Sequence, residues 1–129
     1  MVAQMASRLR ELFEERTDGG LRSIVTYDFE GVEVLYLRDD VASQYTETEI
    51  ASAIDESRMQ SMSVSIYEGV FSRNHGEIEC MVTYFENVVE LNFALDDGVG
   101  AAVALDTEAM GEARGLVSEA REIVVDERS

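Results

Sequence analysis

Proline, lysine and tryptophan are missing from this sequence, and cysteine and histidine occur once each. No proline-rich, repetitive or low-complexity stretch divides the 129 residues, so one domain spanning residues 1–129 is expected. Cys80, the lone cysteine, has no intrachain disulfide partner, which fits a reducing compartment. Long apolar runs are also missing: the longest is the five residues Ala101 to Leu105. A membrane-spanning helix needs about 20, so no span and no membrane partner are expected. Arg8, Arg10 and three acids crowd the first fifteen residues, a pattern unlike a secretory leader. A cytoplasmic location is the expectation.

What is abundant is negative charge. Twenty-seven acids face ten bases, all arginine, for a net charge of −17. Such an excess destabilises a compact chain through self-repulsion at ordinary ionic strength. At about 1 M salt the screening length falls to about 3 Å, and most of that repulsion disappears. The composition therefore looks like that of a cytosolic protein from a salt-accumulating archaeon. An acidic disordered tail fits poorly, because the acids are interleaved with periodic apolar residues along the chain. Nucleic-acid binding needs a basic stripe for phosphates. The one basic cluster, Arg8 and Arg10, is followed at once by Glu11, Glu14 and Glu15, so no nucleic-acid partner is expected.

Apolar spacing predicts the elements. Val2, Met5, Leu9 and Leu12, flanked by Ala6 and Phe13, trace a first amphipathic helix ending before Asp18-Gly19-Gly20. Leu21–Tyr27 and Val32–Arg38 read as a hairpin around Asp28-Phe29-Glu30-Gly31. Thr46 and Glu49 form a capping box for a second helix, with Ile50, Ala53 and Ile54 on one face, running to about Met59. Residues 61–71 fit a continued or broken helix, and Ser72 to Gly76 a turn. Glu77 to Phe85 alternates with Ile78, Cys80, Val82 and Tyr84 on one face. Glu86-Asn87 is a two-residue loop in which Asn tolerates positive φ, and Val88 to Leu95 places Val89, Leu91, Phe93 and Leu95 together. Ala101 to Leu105 is apolar on both faces, as a central strand covered on both sides must be. Asp106 is placed to cap a final helix with the stripe Met110, Ala113, Val117, Ala120 and Val124, widened by Leu116 and Ile123. The predicted class is α+β, in the order α-β-β-α-β-β-β-α. One five-stranded, mainly antiparallel sheet should carry helices on both faces.

No catalytic motif emerges. His75, Glu77 and Glu79 could share a strand face as metal ligands, but a turn histidine before a polar strand face explains them more simply. Cys80 lacks an adjacent base and reads as a small core residue. Asp39-Asp40 and Asp96-Asp97 are loop acids able to meet a hard cation, and in so acidic a chain they read as solvated turns. Gly98-Val99-Gly100 is too short for a dinucleotide loop, and Gly111 with Gly115 reads as close helix packing. Neither a cofactor nor a metal nor a catalytic residue is expected.

The element order resembles the roadblock (dynein light chain) architecture, with a local echo in Asp97 to Val117, around Gly111, Gly115 and Leu116. Val34-Leu35-Tyr36-Leu37-Arg38-Asp39-Asp40-Val41 also resembles small domains of halophilic archaea that bring no activity with them. The roadblock resemblance implies a homodimer with a scaffolding or small-GTPase-regulating role. It puts the strand beginning at Glu77 on a sheet edge, where Glu79, Met81, Thr83 and Phe85 become the candidate dimer interface. The expected function is a non-catalytic dimeric adaptor or regulator with an unknown protein partner. The alternative is a small-ligand sensor of profilin-like type, with its pocket between the sheet and residues 61–71.

If the acid excess is matched to molar salt, the melting temperature of the purified chain rises as KCl goes from about 0.1 M to about 2 M. Circular-dichroism melts check this, and a flat or falling curve removes the halophilic reading.

Overall fold

Helix α1 (Val2–Thr17) is the first element of the computed structural model, which describes residues 2–111, 123, 125 and 126. It stops where Asp18 and Gly19 take φ values of 47° and 86°, a left-handed exit that ends helices at little steric cost when glycine supplies it. The expected stripe is rotated on this helix: Leu9 and Phe13 face the core, whereas Leu12 is exposed. Strands β1 (Leu21–Tyr27) and β2 (Val32–Leu37) follow as the expected hairpin. The Asp28 carboxylate accepts from the amides of Glu30 and Gly31 at 2.8 and 3.0 Å and so sets the turn.

A short helix α2 (Asp39–Gln44) occupies the expected loop around Asp39-Asp40, and its Val41 is buried. The Thr46–Glu49 capping box then opens α3 (Glu47–Ser61), with amide-to-side-chain bonds of 2.9 and 3.1 Å. The helix breaks at Met62 and Ser63 and resumes as α4 (Val64–His75). The expected turn from Ser72 to Gly76 is thus helical as far as His75, and Gly76, at φ 79°, follows the last turn.

Strand β3 covers Met81–Tyr84, shorter than the alternation from Glu77 predicts. The physical reason lies at Ile78, whose amide donates to the Glu68 carboxylate of α4 at 3.0 Å. The segment before Met81 is tied to the helix and not to the sheet. Strands β4 (Val88–Asp96) and β5 (Val99–Asp106) complete the meander. The Glu86-Asn87 loop closes through Phe85 N–H to the Val88 carbonyl at 2.7 Å. Asn87 keeps a negative φ there, contrary to expectation. A 3₁₀ turn, Thr107–Met110, ends at Gly111. Asp106 does not cap this turn through its side chain, which the arginines described below occupy. Ile123, Val125 and Asp126 are helical; the other expected positions of the closing helix, including Ala113, Gly115, Leu116, Val117, Ala120 and Val124, lie outside the described residues.

The five strands form one sheet in the order β2-β1-β5-β4-β3, with every pairing antiparallel. On one face Leu21, Ile24, Val103 and Leu105 pack with Leu9 and Phe13 of α1. On the other, Val25 and Tyr27 pack with Ile50 and Ile54 of α3. Helices therefore cover both faces, and β5 is central. A register shift between Leu21 and Ser23 lets Leu21 and Ile24 share a face although they are three residues apart. A second shift, between Ala94 and Asp96, ends the alternation of β4, and Leu95 stands 73% exposed. Among the described residues no helix is long and apolar enough to cross a membrane.

Helix α3 is docked by polar contacts as well as apolar ones. Buried Asn92 on β4 accepts from the Tyr27 hydroxyl and donates to the Ser57 carbonyl at 2.8 Å and Gln60 Oε1 at 3.0 Å. Gln60 passes the connection to Thr83 Oγ1 at 3.3 Å, and Gly98 N–H donates to buried Ser61 at 2.9 Å. Gly100 brings the Tyr27 hydroxyl close: an added Cβ would sit 2.6 Å from that oxygen and 2.5 Å from the Phe93 carbonyl. Replacing Asn92 by alanine strands the Tyr27 hydroxyl and the groups on α3. We expect Asn92→Ala to cost about 2–3 kcal/mol in urea unfolding, the scale of buried polar groups left without partners. A loss under about 0.5 kcal/mol would show that water replaces the amide.

Candidate functional site

Two surfaces stand out, and both involve β3 or its hairpin. The first is the outer edge of β3. This strand ends the sheet, so along one side its backbone groups pair with no described strand. Beside it α4 presents Ile66, Tyr67 and Phe71, which are 69%, 51% and 48% exposed, and β3 itself exposes Val82. A shallow cavity of about 360 Å³ lies between helix and strand, lined by Tyr67, Phe71, Ile78, Cys80, Met81 and Val82.

The four residues expected at an interface are divided by this geometry. Glu79 is exposed ahead of the strand. Thr83, half-buried, faces α3 through Gln60, and its neighbour two residues back, Met81, lines the cavity against α4. Phe85 is half exposed at the hairpin, on the rim of the second surface. Sequence reasoning missed Ile66, Tyr67 and Phe71, because residues 61–71 carry both strand-like and helix-like spacing. Once α4 is a helix, Tyr67 and Phe71 fall one turn apart on one face.

The remaining candidates carry no reactive constellation. His75 and Cys80 both border the small cavity, but His75 Nδ1 lies 3.3 Å from the Phe71 carbonyl and its ring meets Phe71 edge-on at 5.1 Å. The Cys80 thiol points its proton toward the Met81 carbonyl at 3.7 Å, and burial raises its pKa, which keeps it from being a thiolate. Asp40 is clamped by Arg38 at 2.6 and 3.0 Å, and Asp39 starts helix α2. Asp96 accepts from the amide of Asp97 at 2.8 Å in the β4–β5 turn. Among the described residues no three His, Cys, Asp or Glu side chains gather as a metal site.

Asp106, expected as a cap, is instead the centre of an ion cluster. Arg38 reaches it at 2.7 and 3.1 Å and Arg22 at 3.1 Å, while Arg38 also donates to the Gly19 carbonyl at 2.8 Å. The Arg38 hydrogen bonds hold the Asp106 carboxyl below the usual carboxylate range, and Arg22 adds to the effect. This cluster ties the ends of β2 and β5 to the turn after α1. It is a structural clasp with its acceptors occupied.

The second surface is a groove of about 800 Å³ between α3 and the sheet. Its floor includes Ser23, Ala102 and Ala104, and its helical wall includes Ser52 and Ala53. Glu90 and Glu56 also line it, on β4 and α3 respectively. Burial, and then the charge of Glu56, raises the Glu90 carboxyl above its ordinary value. An acid raised in this way binds its proton more tightly folded than unfolded. Its ionisation therefore removes stability as pH climbs from the unfolded value into the folded one. We expect Glu90→Gln to raise the melting temperature near about pH 7 and to change it little near about pH 4. The gain should stay under about 1 kcal/mol, because the group is only partly withdrawn from water. Equal gains at both pH values would assign the effect to something other than charge.

No curated protein and no solved structure matches the chain. A family model described as a domain of unknown function (DUF7522) matches residues 7–125. That span takes in every described strand, the helices α2 to α4 and α1 from residue 7 onward, and the chain belongs to this family.

Proposed function

We propose that the chain is a non-catalytic, homodimeric adaptor or regulatory module of roadblock-like build, working in the salt-rich cytosol of a halophilic archaeon. The observation that carries this reading is the open edge of β3 beside the exposed apolar residues of α4. An unpaired strand edge is a template for a further strand, and natural proteins usually guard it. Here Glu79 stands ahead of the strand, while no lysine or proline interrupts Met81 to Tyr84. Two copies pairing β3 to β3 about a two-fold axis satisfy both edges at once and close the assembly. The same docking covers Tyr67, Phe71 and Val82, an apolar patch of the kind that marks interaction sites.

The helix, hairpin, helical segment and three-strand meander follow the order that the roadblock resemblance implies, with β3 outermost. Two copies bring together two chains of −17 each, so association should strengthen with salt. The adaptor role rests on the lack of any reactive grouping among the described residues beside an interface of this kind, and its protein partner is open to identification by affinity isolation in molar KCl.

Light scattering in about 2 M KCl should return twice the 14.4 kDa chain mass. Met81→Glu and Val82→Arg should each give the monomer, with a far-ultraviolet circular-dichroism spectrum unchanged. A wild-type monomer at tens of micromolar sinks the proposal, as does a dimer that both variants leave intact.

A further inference from the structure

The groove under α3 exists because the side chains facing each other across it are small. Ser23, Ala102 and Ala104 leave the sheet surface low, and Ser52 and Ala53 leave the helix surface low opposite them. Larger apolar groups, among them Val25, Ile50 and Phe85, close the sides. At about 800 Å³ the space falls within the range of small-molecule sites.

Its charge is one-sided. Glu90 stands on the floor, directly opposite Ala104 in the β4–β5 register, and Glu56 reaches in from the helix. Among the described residues neither carboxylate has a hydrogen-bonded or ion-paired partner, and the charge of Glu56 acts on Glu90. Glu49 and Glu86 add further negative charge at the rim, although Glu49 is occupied by the Thr46 amide. Among the described residues the one cation lining the groove, Arg22, is held by Asp106 at 3.1 Å.

We propose that this groove binds a small organic ammonium ion with an apolar body, the hydrocarbon lying along the walls and the charged nitrogen between Glu56 and Glu90. An ammonium group relieves the mutual repulsion of the two carboxylates and compensates the partly buried one. A neutral ligand of the same shape leaves both uncompensated, and an anion adds to the repulsion. A bare divalent cation fits less well: hard ions want six or more oxygen ligands, and among the described residues no three His, Cys, Asp or Glu side chains gather closely enough to hold one. The site is separate from the outer edge of β3, so it does not depend on the dimer.

The test is isothermal titration calorimetry of the full chain with 2-phenylethylammonium, its neutral isostere 2-phenylethanol and the anion 3-phenylpropanoate, all at one KCl concentration. The ammonium ion should bind at least about tenfold tighter than the alcohol, and the anion weakest. Glu90→Gln should collapse that preference toward unity while the alcohol's affinity holds, and Glu56→Gln provides the same readout from the helix side. Ala104→Leu, filling the floor, should abolish binding of all three with the circular-dichroism spectrum retained. Equal affinity for cation and alcohol overturns the proposal. So does a preference that survives both glutamine variants, or no binding by any of the three.

Discussion

Buried between α3 and the sheet, the Asn92 side chain meets three partners on two elements: the Tyr27 hydroxyl on β1, and the Ser57 carbonyl and the Gln60 amide oxygen on α3. Such a group is costly to bury unless every valence is met, and here both its oxygen and its nitrogen are used. Apolar contact alone leaves a helix free to slide along a sheet. This set of bonds selects one position for the C-terminal half of α3, above β1, β4 and β3. The position of the groove, the site of the helix break and the placement of α4 beside β3 all follow from it.

The two ends of α3 behave differently as a result. Toward its C-terminus Ile54, Ser57, Gln60 and Ser61 are fastened to the sheet. Toward its N-terminus the capping box fixes where the helix begins, but small residues on both surfaces leave a gap. A fixed helix over small side chains makes a cavity, because neither partner can collapse into it. The raised carboxyl of Glu90 is a consequence of the same geometry, since the strand carries it beneath the helix and away from water.

Much of the architecture was legible in the order of residues. The Asp28–Gly31 turn, the Thr46–Glu49 box and the doubly apolar Ala101 to Leu105 each carry a local cause that tertiary contacts had no reason to override. Local reading failed where a distant group takes over a local one. Asp106 looks like a helix cap, but two arginines from β1 and the end of β2 claim its carboxylate. Ile78 looks like a strand residue, but Glu68 takes its amide. Asn92 and Glu90 look like the solvent face of an alternating strand, yet α3 lies across that face.

Composition, charge and apolar spacing by themselves determined an α+β chain with no membrane-spanning helix among its described residues, a central strand covered twice, and a surface dominated by carboxylates. These follow from local rules, since periodicity and capping act over a few residues and charge is a simple count. Only the tertiary structure decided which strand lies at the open edge, which acids share a groove, and which arginines close on Asp106. Those are pairings between residues as many as 84 positions apart. Nothing in a local pattern encodes them, because the cost of burying each polar group is settled by whatever partner the finished fold brings within reach.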